Sequence, residues 1–197
     1  MGKKYDAEKE ANASEAIKNI NAIHSFMTDW DNVAKYLLTY RKNGQPRMRP
    51  VNAYMNGWYV QSVTQDLHLK TTHIRNNENV AYLFSGMTPR ERGNDPVNIF
   101  IEGTAELIED QEQVFQFLDW RESVTKTGLN TPGDDYTPFV IQVRPRYIRV
   151  EGFSGRRHPV IFRDFSKLVK PDSIIPQENF DIASVIPEIG NYKDPRS

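Results

Sequence analysis

The chain contains no cysteine among its 197 residues. That excludes disulfides, thiolate nucleophiles, iron–sulfur clusters and cysteine-type zinc sites. No apolar run approaches the ~18 residues of a membrane-spanning helix. The opening residues, Met1-Gly2-Lys3-Lys4-Tyr5-Asp6, lack the apolar stretch of a secretory signal. Asp6 also stands where a myristoylation signal needs Ser or Thr. An excess of one charge is missing too: Lys plus Arg is 25 against 26 for Asp plus Glu, a net charge of -1. This balance argues against a general nucleic-acid binder and against attraction to acidic membranes. There is no glycine-rich phosphate loop and no dinucleotide fingerprint. Gly152-Phe153-Ser154-Gly155 has the look of a nucleophile elbow, but its second glycine is misplaced. The four histidines, His24, His68, His73 and His158, are joined by no carboxylate at metal-site spacing, so no metal is expected. The expectation is a cytoplasmic protein with no membrane or nucleic-acid partner.

What remains is a sequence of short periodic segments. From Asn12 the pattern is helical: Ala16, Ile20, Ile23 and Met27 share a stripe at three-to-four spacing, ending near Asp29. Tyr36 to Tyr40 then reads as a strand. Asn43-Gly44 is a strong hairpin signal, leading into a second strand from Arg47 to Tyr54. Asn56-Gly57 turns the chain into a third strand, Trp58 to Thr64, and the three together read as an antiparallel meander. A short helix spans Lys70 to Asn76. Strands follow at Val80 to Ser85 and Val97 to Ile108, the latter with Gly103 marking a bulge or a close backbone approach. Asp110 caps a helix to about Lys126 whose facing rows hold Val114, Phe117, Leu118, Arg121 and Val124. Phe139 to Glu151 is a sixth strand. From Gly152 onward prolines are frequent and periodicity is weak. Six strands with peripheral helices indicate a small, mainly β barrel of the α+β class.

The most informative polar residues are cations at strand ends. Arg47 and Arg49 share one face of the second strand, and Lys70 opens the short helix after the third. If the sheet curls, Arg49 and Lys70 approach one another. An arginine fork, an ammonium and free N–H groups at a helix start suit a phosphomonoester. Ser62 and Thr64 add hydroxyl donors on the strand between them.

Several segments, in this order, resemble the pyridoxamine 5'-phosphate oxidase-like flavin-binding proteins. They are Arg49-Pro50-Val51, Val63-Thr64, Lys70 with Ile74-Arg75-Asn76-Asn77-Glu78-Asn79-Val80, and Ile101-Glu102-Gly103-Thr104-Ala105-Glu106. The resemblance covers about residues 35–152. It implies a six-stranded antiparallel split β-barrel and a homodimer with FMN at the subunit interface. On that basis residues 1–30 form an N-terminal arm and helix, and residues 31–152 the FMN-binding split barrel. Residues 153–197 form a proline-rich extension packing on the barrel or on the partner subunit. Carried over position by position, Arg49 and Lys70 match the grip on the FMN phosphate. Pro50, Val51 and Asn52 match the strand along the flavin ring, and Val63 and Thr64 match its neighbour. His68 and Leu69 stand where the oxidases carry Ser and Arg. Asn98 stands where they carry a Gln near the flavin edge.

Gly155-Arg156-Arg157-His158 echoes the oxidases' Arg-x-His, but the residues that hold the pyridoxal substrate's phosphate are missing. Tyr54 also stands where the oxidases have a Lys five after the phosphate Arg. The resemblance therefore implies an FMN-dependent oxidoreductase, with hydride transfer through flavin N5 to or from an unidentified small molecule. Tyr54, Trp58, Arg156 and His158 are the substrate-side candidates, and no catalytic residue is singled out. Two alternatives stay open on the same fold. One is a flavin-binding sensor or carrier without turnover. The other is a relative binding deazaflavin or haem, with His158 or His73 as the axial ligand.

Overall fold

The computed structural model describes residues 18–29, 31–87, 95–126, 135–153, 159–177 and 188–189. Three helices lie among them: α1 (Ile20–Thr28), α2 (Leu69–Asn76) and α3 (Gln111–Thr125). The strands are β1 (Ala34–Tyr40), β2 (Pro46–Pro50), β3 (Ala53–Asn56), β4 (Tyr59–Gln65) and β5 (Asn79–Met87). They continue with β6 (Pro96–Ile108), β7 (Pro138–Glu151), β8 (Val160–Asp164) and β9 (Glu188–Ile189). The start of the N-terminal helix expected from Asn12 lies outside the described residues, as does the loop holding Arg156 and His158.

One sheet contains all these strands, in the order β2-β1-β5-β6-β7-β4-β3, with β8 pairing β7 and β9 pairing β8. The pairings whose registers are described are antiparallel. Its curvature follows from one connection. The edge strands β2 and β3 are consecutive in the chain, separated only by Val51 and Asn52. Extended residues reach at most ~3.6 Å each. The two ends of the order must therefore come together, and the sheet rolls into a barrel left open along one seam. This is an antiparallel split barrel with peripheral helices.

The seam corrects the expectation of one second strand from Arg47 to Tyr54 and of a three-stranded meander. β2 pairs with β1, opposing Arg47 to Thr39 and Arg49 to Leu37. β3 pairs with β4, opposing Tyr54 to Gln61. The crossover divides a stretch that reads as a single strand. The division and the added β8 and β9 take the expected six strands to nine among the described residues.

Alternation sets the core. Val80, Tyr82 and Phe84 point inward from β5, and Val97, Ile99 and Ile101 from β6. Ile20, Ile23, Phe26 and Met27 bury one face of α1 against this cluster. The β6–β7 register shifts between Glu102 and Gly103. A Cβ at Gly103 would meet the Arg144 carbonyl and lie 2.6 Å from Val143 Cγ1, so bulge and close approach coincide there. Residues 159–177 pack on the barrel. Phe162, Phe165 and Leu168 join the main core, Arg144 donates to the carbonyls of Phe165 and Leu168, and Asn56 donates to that of Ser173.

Candidate functional site

A cleft of about 250 Å³ opens beside the seam. The crossover residues Pro50, Val51 and Asn52 form one wall, and Val63, Thr64 and Gln65 at the end of β4 form another. His68 and Lys70 enter from the start of α2, and Leu118 and Arg121 close the cleft from α3. Eight of the sequence-predicted cofactor residues are thus neighbours: seven line the cleft, and Arg49 sits next to Pro50 at its rim, near enough to disturb Lys70 and His68 electrostatically.

The local fold explains the placement. β4 ends at Gln65, and Asp66 turns the chain by accepting from the backbone N–H groups of Leu67 and Thr137. The turn sets α2 across the end of β4. Thr71 Oγ1 donates to the Gln65 carbonyl at 2.6 Å and meets Thr64 Oγ1 at 3.1 Å. Lys70 Nζ reaches back to the Val63 carbonyl at 3.4 Å. No side chain caps the α2 N-terminus; the Thr71 N–H donates to the His68 carbonyl, and those of Leu69 and Lys70 are left for another acceptor.

Positive charge accumulates here. Burial, and then the Arg49 guanidinium, push the Lys70 ammonium down to about 8. Burial lowers His68, Lys70 and Arg49 lower it further, and Asp66 opposes them. Arg49 is itself lowered by burial and then by Arg47 and Arg41. Cations that destabilise one another at the rim of a cleft are the groups an anion would relieve.

Other expected residues lie elsewhere. Leu69 is 68% exposed and is not among the residues lining the cleft. Asn98 is not among the residues lining the cleft; its Oδ1 accepts from Ser85 Oγ at 2.8 Å in the β5–β6 ladder. Two of the substrate-side candidates are buried. Trp58 is fully buried and packs on Phe162 and Phe165, so it presents no surface to a small molecule. Tyr54 is buried edge-on against Phe117 and Trp120. Both sit at β-hairpin positions where inward and outward faces cannot be assigned without the partner strand. Arg156 and His158 fall outside the described residues. His73, a candidate axial ligand, is buried with Nδ1 2.9 Å from Thr39 Oγ1.

The sequence reading missed Arg121 and Tyr136 as cleft residues. A signal for Arg121 was present. It occupies the buried row of α3 with Val114, Phe117 and Leu118, where an arginine needs a polar reason to be. Tyr136 carried no signal.

A second cleft of about 410 Å³ lies on the far side of the same crossover, between Val33–Tyr36 and Pro50–Ala53. It includes Lys35, which burial pushes down to about 8 while Asp29 pulls the other way. Lys35 Nζ donates to the Ala53 carbonyl at 2.9 Å. Lys35 thus holds the crossover from both ends, its carbonyl accepting from the Val51 N–H and its ammonium donating to Ala53.

No family model and no curated protein matches the chain. Solved structures do. A putative pyridoxamine 5'-phosphate oxidase from Listeria innocua matches with TM-score 0.51 and 21% identity, over 69% of this chain and 98% of that one. A pyridoxamine 5'-phosphate oxidase-related, FMN-binding protein from Nostoc punctiforme matches with TM-score 0.52 and 11% identity, over 78% and 96%. A heme-binding protein from Mycobacterium smegmatis matches with TM-score 0.51 and 16% identity, over 78% and 57%. The chain therefore has the fold of the pyridoxamine 5'-phosphate oxidase-like split barrels, the fold that the sequence resemblance implied.

Proposed function

We propose that this split barrel binds FMN in the cleft beside its seam and acts as a flavin-dependent oxidoreductase on a small molecule. The observation that carries the reading is the uncompensated charge at the cleft. Among the described residues, neither Arg49 nor Lys70 makes an ion pair. Buried or half-buried cations without a carboxylate are costly unless a ligand supplies the anion. Arg49, Lys70 and the Thr64 hydroxyl would hold the phosphate, and Pro50, Val51, Asn52 and Val63 would hold the ring. When bound, FMN supplies hydride transfer through its N5 atom. The chain's own part is to bind and orient. The Lys70 ammonium offers three donors to the phosphate, and the His68 imidazole, its pKa lowered by partial desolvation and then by Lys70 and Arg49, adds a further hydrogen-bonding group.

Leu67 and Leu69, beside the cleft, are 71% and 68% exposed. A second copy covering them would shield the cofactor, which supports a homodimer with FMN at the interface. Arg156 and His158 are the proposed contacts to substrate, and the cytoplasm is the proposed compartment. Light scattering checks the dimer, and a monomer with bound flavin contradicts it.

The test of function is the absorbance spectrum of the purified protein, followed by stopped-flow mixing with NADH or NADPH. Flavin absorbance that bleaches and recovers in air supports an oxidoreductase. Bound flavin that no donor reduces makes the chain a flavin carrier or sensor. The heme-binding relative in fold supports one further reading, and tighter binding of hemin than of FMN or a deazaflavin would favour it.

A further inference from the structure

The cations at the seam outnumber what one phosphate needs. From Asn32 to Gln65 the sequence has no Asp or Glu, yet it carries Lys35, Arg41, Lys42, Arg47 and Arg49. Register places three of the arginines together. Residues directly opposite in an antiparallel pair share a face, and so do residues two apart on one strand. Arg47 opposes Thr39 and Arg49 opposes Leu37. Arg41 follows Thr39 by two positions, and its N–H donates to the Gln45 carbonyl, which keeps the hairpin paired there. All three therefore lie on the Thr39 side of the hairpin. Thr39 Oγ1 meets His73 Nδ1 at 2.9 Å, so that face is turned toward α2. Lys70 is one helical turn before His73. Arg41, Arg47 and Arg49 all depress His73 further after its burial.

Among the described residues, none of Arg41, Arg47, Arg49 and Lys70 makes an ion pair. Asp66 is the carboxylate that reaches His68, and its Oδ1 is already engaged by two backbone N–H groups. Folding has thus gathered three arginines on one face, with Lys70 of α2 beside Arg49, and left them to repel each other. Arg47 and Arg49, two positions apart, are separated by roughly 7 Å along the strand. Arginine side chains are long enough for neighbours at that spacing to converge on adjoining phosphoryl groups.

We propose that Arg41 and Arg47 form a second anion subsite, continuous with the Arg49–Lys70 subsite, so that the cleft takes a ligand with two or more linked phosphoryl groups. This rests on reading Arg49 and Lys70 as a phosphate grip; it does not require the ligand to be a flavin. A diphosphate-bearing nucleotide is the ligand class that fits.

The test uses the full chain and flavin-free probes. Inorganic phosphate, pyrophosphate and tripolyphosphate are titrated by calorimetry into wild type, the R41Q/R47Q double variant and a Lys167→Gln control. FMN is titrated in parallel. Wild type is expected to bind pyrophosphate at least tenfold more tightly than phosphate. R41Q/R47Q is expected to erase that gap while moving FMN affinity less than threefold, and Lys167→Gln to leave the gap unchanged. Arg47 is exposed and Arg41 half-buried at a hairpin, and thermal unfolding of the double variant verifies its fold. Phosphate and pyrophosphate within threefold of each other in wild type would overturn the proposal. So would a gap that survives in R41Q/R47Q, or one that Lys167→Gln abolishes. A gap that behaves as expected while FMN fails to bind would reject the flavin and keep the subsite.

Discussion

Replacing Lys70 with methionine keeps most of the side-chain volume and removes its charge. Two opposite effects are expected. In the ligand-free protein the ammonium is pushed from 10.5 to about 8, chiefly by burial and then by Arg49. A lysine whose folded value lies below its unfolded value is destabilising while it is charged. At pH 7 the difference corresponds to a cost on the order of 3 kcal/mol at ~1.4 kcal/mol per pH unit. Lys70→Met should therefore raise the stability of the ligand-free protein at pH 7, by about 1–3 kcal/mol once the lost contact to the Val63 carbonyl is counted. In the complex the same charge is an asset. A charge-assisted hydrogen bond to phosphate contributes ~1.5–3 kcal/mol, so FMN should dissociate roughly 10- to 150-fold more readily from the variant. Urea unfolding of the ligand-free protein and flavin-fluorescence quenching measure the two arms. An unchanged FMN dissociation constant, or a variant less stable than wild type at pH 7, would refute the reasoning.

Three further outcomes are expected. Gly103→Ala places a methyl against the Arg144 carbonyl and 2.6 Å from Val143 Cγ1 at the β6–β7 bulge; the strands must part, and the urea midpoint should fall by the equivalent of roughly 1–3 kcal/mol. Tyr82→Phe removes the 2.8 Å hydrogen bond between the Tyr82 hydroxyl and Ser62 Oγ inside the core, leaving a buried hydroxyl unpaired at a cost of ~1–3 kcal/mol in chemical denaturation. Ligand-free stability should rise between pH 7 and pH 9, because Lys35 and Lys70 both sit at about 8 when folded and bind protons more tightly when unfolded. Each contributes about 1 kcal/mol over that interval, and Lys35→Met should remove its share of the slope.

Much of the barrel was legible because local rules and global fold agree. Asn43-Gly44 and Asn56-Gly57 both turn where a hairpin signal requires, with Gly44 and Gly57 at positive φ. Asp110 accepts from the Gln113 N–H and starts α3 as its position implies. The break in the second strand was not legible, because both sides of Val51-Asn52 carry strand-like residues and only pairing partners tell them apart. Pro50 was the clue: it has no N–H for a ladder, and it stands where β2 ends. β8 escaped notice because Val160, Ile161 and Phe162 are all buried, so the segment shows no alternation to read. At the site, the convergence of Arg49 and Lys70 followed from sequence order once the sheet was taken to curl. The burial of Trp58 and Tyr54 was not legible, because an aromatic in a strand reads the same whether it faces a ligand or the core. Arg121 was hidden among the apolar residues of its helix row.

The central claim is that Arg49 and Lys70 grip a flavin's phosphate, and the most direct measurement compares FMN with riboflavin, which lacks only that group. Two cationic contacts at ~1.5–3 kcal/mol each predict that FMN binds at least about 100-fold more tightly. The preference should shrink to within a few-fold in an Arg49→Gln, Lys70→Met double variant. Equal affinity of the wild-type protein for the two flavins would contradict the account.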